Sequence, residues 1–153
     1  EDLTLAGPLD AELWVSTSGQ DSDFIVKLID VFPDRHVVGS GEEELDLGGT
    51  QRLLRGEPFR GRFRESFTDP KPFTPDVPER LAFRMNDVFH TFQAGHRIMV
   101  QIQSTWFPFV DRNPQKWVDN IFEARPQDFL AVTNRVYRCA QMPSAIRVRI
   151  LPQ

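Results

Sequence analysis

An all-β sandwich is the fold class this sequence predicts, and three observations lead there. Apolar residues recur with period two in several short segments, helical periodicity is scarce, and Gly- and Pro-bearing turn signals separate the segments. The length of 153 residues suits one domain, because a chain of about 150 residues buries roughly 70% of its unfolded surface. Residues 1–153 are therefore expected to form a single β-sandwich or jelly roll.

The first strand is expected over 11–17, where Ala11, Leu13 and Val15 alternate with Glu12, Trp14 and Ser16. From Phe24 to Phe32 both faces are apolar, with Phe24, Val26 and Leu28 opposed to Ile25, Ile29 and Val31, so this strand is expected at the centre of a sheet, covered twice. A strand over 58–67 would place Phe59, Phe63 and Phe67 on one face and Arg60, Arg62 and Arg64 on the other, and another is expected over 81–85. Between them Pro70, Pro72, Pro75 and Pro78 predict an extended surface connection, since each lacks an N–H and restricts its predecessor. In 97–104, Ile98, Val100 and Ile102 oppose Arg97, Gln101 and Gln103, and in the last segment Ile146, Val148 and Ile150 oppose Arg147 and Arg149. Both sets are expected to line one core. A strand over 134–139 and one short helix over Pro126–Val132 complete the prediction.

Composition narrows the functions. The 40% apolar fraction with 13 Phe describes a globular chain. No apolar stretch approaches the ~20 residues that span a bilayer, so no membrane partner is expected. A net charge of -4 argues against a nucleic-acid partner, which needs excess cation on one face. Of the 18 cations only Lys27, Lys71 and Lys116 are Lys; the rest are Arg, whose planar forks suit fixed ion pairs and interfaces. Cys139 is the only cysteine, which rules out an internal disulfide, and it is expected to be a small buried apolar residue. Glu1 opens the chain without Met and no basic, apolar and small-residue segments follow in order, so no targeting segment is expected within it.

Catalytic chemistry is largely missing. No serine stands in Gly-x-Ser-x-Gly; Ser40 in Gly39-Ser40-Gly41 reads as a turn. His36, His90 and His96 form no metal-binding spacing, although His90 and His96 flank an expected turn at Ala94-Gly95 that could bring them near each other across a hairpin. Hydrogen-bonded structural roles are expected for them, and no cofactor or metal. Asp21 and Asp23 precede the central strand as turn residues bonding nearby N–H groups, or as ligands of a structural calcium. Glu42, Glu43 and Glu44 read as a solvated loop. Trp14, Trp106 and Trp117 could form a sugar-stacking platform, but packing in core or interface is favoured. The row Arg60, Arg62, Arg64 either grips an acidic ligand or domain or forms a solvated face with acidic partners.

The order of segments is more specific than these scans. Leu13-Trp14-Val15-Ser16-Thr17-Ser18 precedes Asp21-x-Asp23-Phe24 and Lys27-Leu28-x-Asp30-Val31-x-Pro33. Gly48-Gly49-Thr50-Gln51-Arg52, Phe63-Arg64-x-Ser66-Phe67 and Phe92-x-x-Gly95-His96-Arg97-Ile98 follow, then Ser104-Thr105-Trp106-Phe107-Pro108 and Asp111-Arg112-Asn113-Pro114. Together they resemble the C-terminal domain of the CocE/NonD hydrolases, the group of X-Pro dipeptidyl-peptidase, cocaine esterase, α-amino acid ester hydrolases and glutaryl acylases. The resemblance spans nearly the whole chain. It implies a non-catalytic jelly roll similar to galactose-binding domains. In the family the Ser-Asp-His triad lies in an α/β-hydrolase domain N-terminal to the jelly roll, so no catalytic residue carries over and that domain is the implied partner. Gln51-Arg52-x-x-Arg55-Gly56, the proline segment and Asp111-Arg112-Asn113-Pro114 lean toward the ester hydrolase and acylase branch. Thr105 replaces a serine common in members but keeps the hydroxyl.

Gly95 permits the turn that starts the 97–104 strand, and that strand delivers Trp106, Phe107, Pro108 and Phe109 to its far end. An isolated monomer rarely leaves such an apolar patch bare. With Arg112 and Asn113 as polar anchors, this loop is expected either to dock on the hydrolase domain and border its cleft or to close the jelly roll's own core. Glycan binding and self-association are the alternatives from other classes.

Overall fold

The computed structural model describes residues 1–152. Among the described residues ten strands follow one another as β1 (Leu3–Thr17), β2 (Asp23–Val31), β3 (Val37–Val38), β4 (Leu45–Asp46), β5 (Gln51–Arg60), β6 (Glu79–Phe92), β7 (Arg97–Gln103), β8 (Asn134–Cys139), β9 (Met142–Pro143) and β10 (Ala145–Arg147). All pair antiparallel. β6 runs along one side of β1 for almost its full length, while β10 and then β8 flank the other side. The second sheet has the order β5-β2-β7, and β3 and β4 form a small hairpin.

Alternation decides what lies between the sheets. Leu5, Leu9, Ala11, Leu13 and Val15 of β1 face Phe24, Val26 and Leu28 of β2, joined by Leu81, Met85, Val88 and Phe92 of β6. A register shift between Gly7 and Leu9 lets a strand this long keep its apolar set inward. Phe59 of β5 stacks on Phe83 of β6, with centroids 4.5 Å apart and planes 7° from parallel, tying the sheets along one side. On β2 the opposite face is buried as well, at Ile25, Ile29 and Val31, as the doubly apolar run predicts for a central strand.

Several expectations need correction. The strand over 58–67 ends at Arg60, and Gly61–Phe63 forms a 3-10 turn. The cause is non-local: Phe73 inserts beside Gly61, where a Cβ would lie 2.4 Å from its ring, so the chain must turn there. Arg62 is thereby swung inward. The proline segment is correspondingly more than a surface connection, because Phe73 is buried edge-on against Phe24 and its N–H donates to the Gln20 carbonyl.

The helix over Pro126–Val132 shrinks to a 3-10 turn at Pro126–Asp128. The Leu130 N–H donates to the Pro114 carbonyl instead of continuing a helix. Of the two isoleucine-valine sets only Ile102 and Ile146 pack against the core. Ile98, Val100, Val148 and Ile150 stay 39–58% exposed, because β7 is an edge strand and β10 ends at Arg147. Cys139 is exposed, not buried, since it closes β8 at the turn into β9 on the sheet's edge. Glu43 and Glu44 are exposed.

Candidate functional site

The polar clusters occupy the two ends of β2. At its start, Asp21 and Asp23 are buried. The antiparallel register sets Asp23 opposite Arg60, so the next pair outward is Asp21 with Arg62. Arg62 contacts Asp21 Oδ2 at 2.7 Å, and the Ser22 N–H donates to Asp21 Oδ1 at 2.9 Å. The same guanidinium donates to the Val118 carbonyl at 2.8 Å and lies 4.3 Å from the Trp117 ring centre. Arg60 bridges Asp23 at 3.3 Å and Asp111 at 3.1 Å.

Asn113 Nδ2 donates to Asp23 Oδ1 at 2.8 Å, while Asn113 Oδ1 accepts from the Gln115 N–H at 2.8 Å. Burial pushes the Asp23 carboxyl above its ordinary range, and the Arg60 charge and the Asn113 hydrogen bond pull against that. Of the two readings of Asp21 and Asp23, the turn-type backbone bond is present at Asp21, and arginines meet both charges. Among the described residues no three His, Cys, Asp or Glu side chains are grouped to hold a metal.

This network anchors the segment that follows β7. Trp106 folds back over the outer face of the β5-β2-β7 sheet, half-buried, with the Lys27 ammonium 4.2 Å from its ring centre. Gly56 makes room for it: a Cβ there would meet the ring at 2.6 Å. Phe109 leans on Trp106 at 4.7 Å, and the Val110 N–H closes the turn on the Trp106 carbonyl at 2.9 Å. Phe107 and Phe109 nevertheless stand 66% and 73% exposed, with Pro108 also exposed between them. The exposed Arg112 guanidinium lies 6.0 Å from the Phe107 ring centre and 5.3 Å from that of Phe129. Thus Trp106, Phe107, Pro108, Phe109, Arg112 and Asn113 gather with Asp21 and Asp23 at one end.

The other four motif residues lie elsewhere. Gly95, with φ of +88°, occupies the β6–β7 turn as expected, and Arg97 is exposed, 3.9 Å from Asp34. His96 Nδ1 and His90 Nε2 both reach the buried Asp30 carboxylate, at 2.8 and 3.0 Å. Asp30 belongs to the three-stranded sheet and His90 to the other, so the carboxylate ties the two at that end. Arg52 lines a 230 Å³ cavity beside these groups, together with Phe32 and His36.

The arginine row is a pairing device inside the fold: Arg60 and Arg62 meet the two aspartates, and Arg64 pairs with Glu79. Sequence reasoning missed that Arg60 and Arg62 complement Asp21 and Asp23: Asp-x-Asp and Arg-x-Arg both stand in the sequence, but only the β2–β5 register sets one against the other. Asp30 as a buried acceptor was missed too; an acid inside an apolar strand must find partners. Trp106 and Trp117 carry cations on their faces, and all three Trp are half-buried. Among the described residues no serine or cysteine hydrogen-bonds a histidine, and no helix is long and apolar enough to cross a membrane.

Comparison with known proteins gives a consistent picture. The family model described as the X-Pro dipeptidyl-peptidase C-terminal non-catalytic domain matches residues 1–147. Cocaine esterase of Rhodococcus sp. (strain MB1 Bresler) is 31% identical over 149 residues, 97% of this chain and 23% of the esterase. Among solved structures, an aminopeptidase from the marine sediment archaeon Thaumarchaeota archaeon is 47% identical with a TM-score of 0.91, covering 99% of this chain and 24% of that one. An alpha-amino acid ester hydrolase is 46% identical with a TM-score of 0.90, again covering 99% and 24%. The chain therefore spans about a quarter of the length of each of these relatives.

Proposed function

The chain belongs to the family of X-Pro dipeptidyl-peptidase C-terminal non-catalytic domains, and from that premise we propose that it is the accessory domain of a CocE/NonD-type serine hydrolase. The parent cleaves an ester or amide acyl group, or an X-Pro peptide, in an α/β-hydrolase domain of the same polypeptide. This domain stabilises that partner and borders its active site with the loop that follows β7.

One observation carries the reading. Phe107 and Phe109 are held out to solvent on a loop whose base is fixed by buried ion pairs. Rings of this size bury about 150–250 Å² each when covered. A rigidly presented aromatic pair of this kind suits a protein surface better than it suits water. Two of the Trp faces are occupied by Lys27 and Arg62, which weighs against a glycan platform.

The test is the double substitution Phe107→Ser, Phe109→Ser, made in the 153-residue chain and in the full-length hydrolase. In the chain alone the expected change in unfolding free energy is below about 1 kcal/mol, because exposed rings lose little packing. The full-length enzyme is expected to lose thermal stability and at least tenfold in kcat/KM. Equal destabilisation of both would mean that the loop serves only its own domain.

A further inference from the structure

β7 leaves one side of the sandwich unfinished. It pairs with β2 alone, and its other edge carries no backbone hydrogen bond among the described residues. Ile98, Val100 and Ile102 stand opposite Asp30, Leu28 and Val26, and so share the face of β2 that carries the core residues Leu28 and Val26. Two of these three inward-facing side chains are nevertheless exposed, Ile98 at 49% and Val100 at 42%. Beside them a cavity of about 260 Å³ opens between β7 and the other sheet, its apolar lining supplied by Leu13, Val100, Ile102, Val136 and Ile146.

Nothing in β7 discourages a neighbour. Exposed edge strands are ordinarily blunted by lysine, by proline or by a bulge that breaks the register. β5, the opposite edge of the same sheet, has Gly56, Pro58 and a register shift against β2. β7 pairs straight through, and its one charge is Arg97 at its first position.

The connectivity indicates what belongs on that edge. In an eight-stranded jelly roll the first strand lies beside the eighth, followed by the third and sixth, while the second lies beside the seventh, followed by the fourth and fifth. β1, β2, β5, β6, β7 and β10 reproduce the third to the eighth of these, as β10-β1-β6 in one sheet and β7-β2-β5 in the other. The place beside β7 is therefore that of the second strand, which directly precedes β1 in the chain. β1 begins at the fitting end: Leu3 pairs with Phe92, and Asp2 Oδ1 accepts from the Ala94 N–H at 2.8 Å, so Glu1 lies by the turn from which β7 departs. The matched relatives are longer, this chain covering 23–24% of each.

We propose that the polypeptide directly preceding Glu1 adds a strand to the free edge of β7, antiparallel to it, as the fourth strand of the β5-β2-β7 sheet. A strand that ends beside Glu1 runs toward the start of β7, which fixes the direction. It matches the seven residues of β7, with apolar side chains at alternate positions to cover Ile98, Val100 and the cavity, and polar ones on the Gln101 face. The added strand presupposes, as the proposed function does, that the chain is part of a longer polypeptide. It makes the join to the rest of that polypeptide a piece of the sandwich and not a tether.

Amide exchange read residue by residue tests it, on the 153-residue chain and on that chain extended by about 15 residues of its own upstream sequence, enough for the strand and a short connection. In the 153-residue chain every second amide of β7, those pointing away from β2, is expected to exchange rapidly. In the extended chain the same amides are expected to slow at least about tenfold, with Hα–Hα contacts between β7 and the added residues in antiparallel register. Those contacts need no reference chain, should the shorter one fold poorly. Val100→Lys is expected to lower the urea midpoint of the extended chain more than that of the shorter one, where a lysine at this position reaches water.

Amides that stay fast in the extended chain, or a parallel register, overturn the proposal. Protection that appears only in the full-length hydrolase gives the edge to a strand of the catalytic domain and overturns it too. Protection of the 153-residue chain that rises with its concentration gives the edge to a second copy, with the same consequence. The extended chain holds no catalytic domain, so its result does not depend on whether Phe107 and Phe109 dock.

Discussion

At one end of β2 buried aspartates face guanidinium groups; at the other a buried aspartate faces two imidazoles. Asp21 and Asp23 pair with Arg62 and Arg60, whose charge is permanent at any pH a folded protein meets. Asp30 is hydrogen-bonded by His90 and His96, which donate with or without a net charge. The arginine end knits the start of β2, the end of β5 and the 111–118 segment into a base for the aromatic loop. The histidine end closes one mouth of the sandwich. An ion pair whose two members are both buried is the less forgiving arrangement: removing one leaves a charge where no water can reach it.

Arg62→Ala should therefore have the largest effect. It strands the Asp21 carboxylate, which is 0% exposed. The expected loss is about 3–5 kcal/mol, read from urea unfolding of the 153-residue chain. Asp30→Ala comes next, at about 2–3 kcal/mol, because it leaves two imidazole nitrogens without their hydrogen-bond partner and the His90 side chain is 17% exposed, close enough to solvent to recover part of the cost. If Asp30→Ala proved as costly as Arg62→Ala, the Asp30 cluster would be behaving as a charged pair and the distinction between the ends would fall.

The ends also differ in how far they were readable beforehand. β2 itself was legible, since a run apolar on both faces can only be central. The Gly95 turn was legible as well, because a glycine between two period-two segments has few other uses. The Asp21–Arg62 pair was not, because pairing residues 41 apart requires the β2–β5 register, and period two carried past Gly61 turns Arg62 to the wrong side. The decisive contact there is Phe73, which arrives from a proline segment that displays no period at all. Likewise the bare Phe107 and Phe109 carry no local mark that separates them from the half-buried Trp106; only the gap at Gly56 does so, and it appears when the sheet is assembled.

The smallest expected effect lies within the arginine end and concerns the sign of a pH dependence. Burial holds the Asp23 carboxyl above its ordinary pKa of 3.8, with the Arg60 charge and the Asn113 hydrogen bond opposing it. A carboxyl raised on folding favours the folded state while protonated. That contribution is complete below 3.8 and disappears as pH rises through the folded value. Asp23→Asn keeps an acceptor oxygen for Asn113 but removes the titration. Its cost relative to the parent should thus be greater at about pH 3 than at about pH 6. Glu12 supplies the opposite case: the hydrogen bond from Arg80 holds it below its ordinary value, against a smaller upward push from burial, so its contribution is present above 4.5 and fades as pH falls through the folded value. Glu12→Gln should therefore matter only above that range. Unfolding curves of the two variants across pH should consequently diverge from the parent in opposite directions. If Asp23→Asn instead followed the Glu12→Gln pattern, Arg60 would outweigh burial at Asp23, and that pair would be a net source of stability at neutral pH.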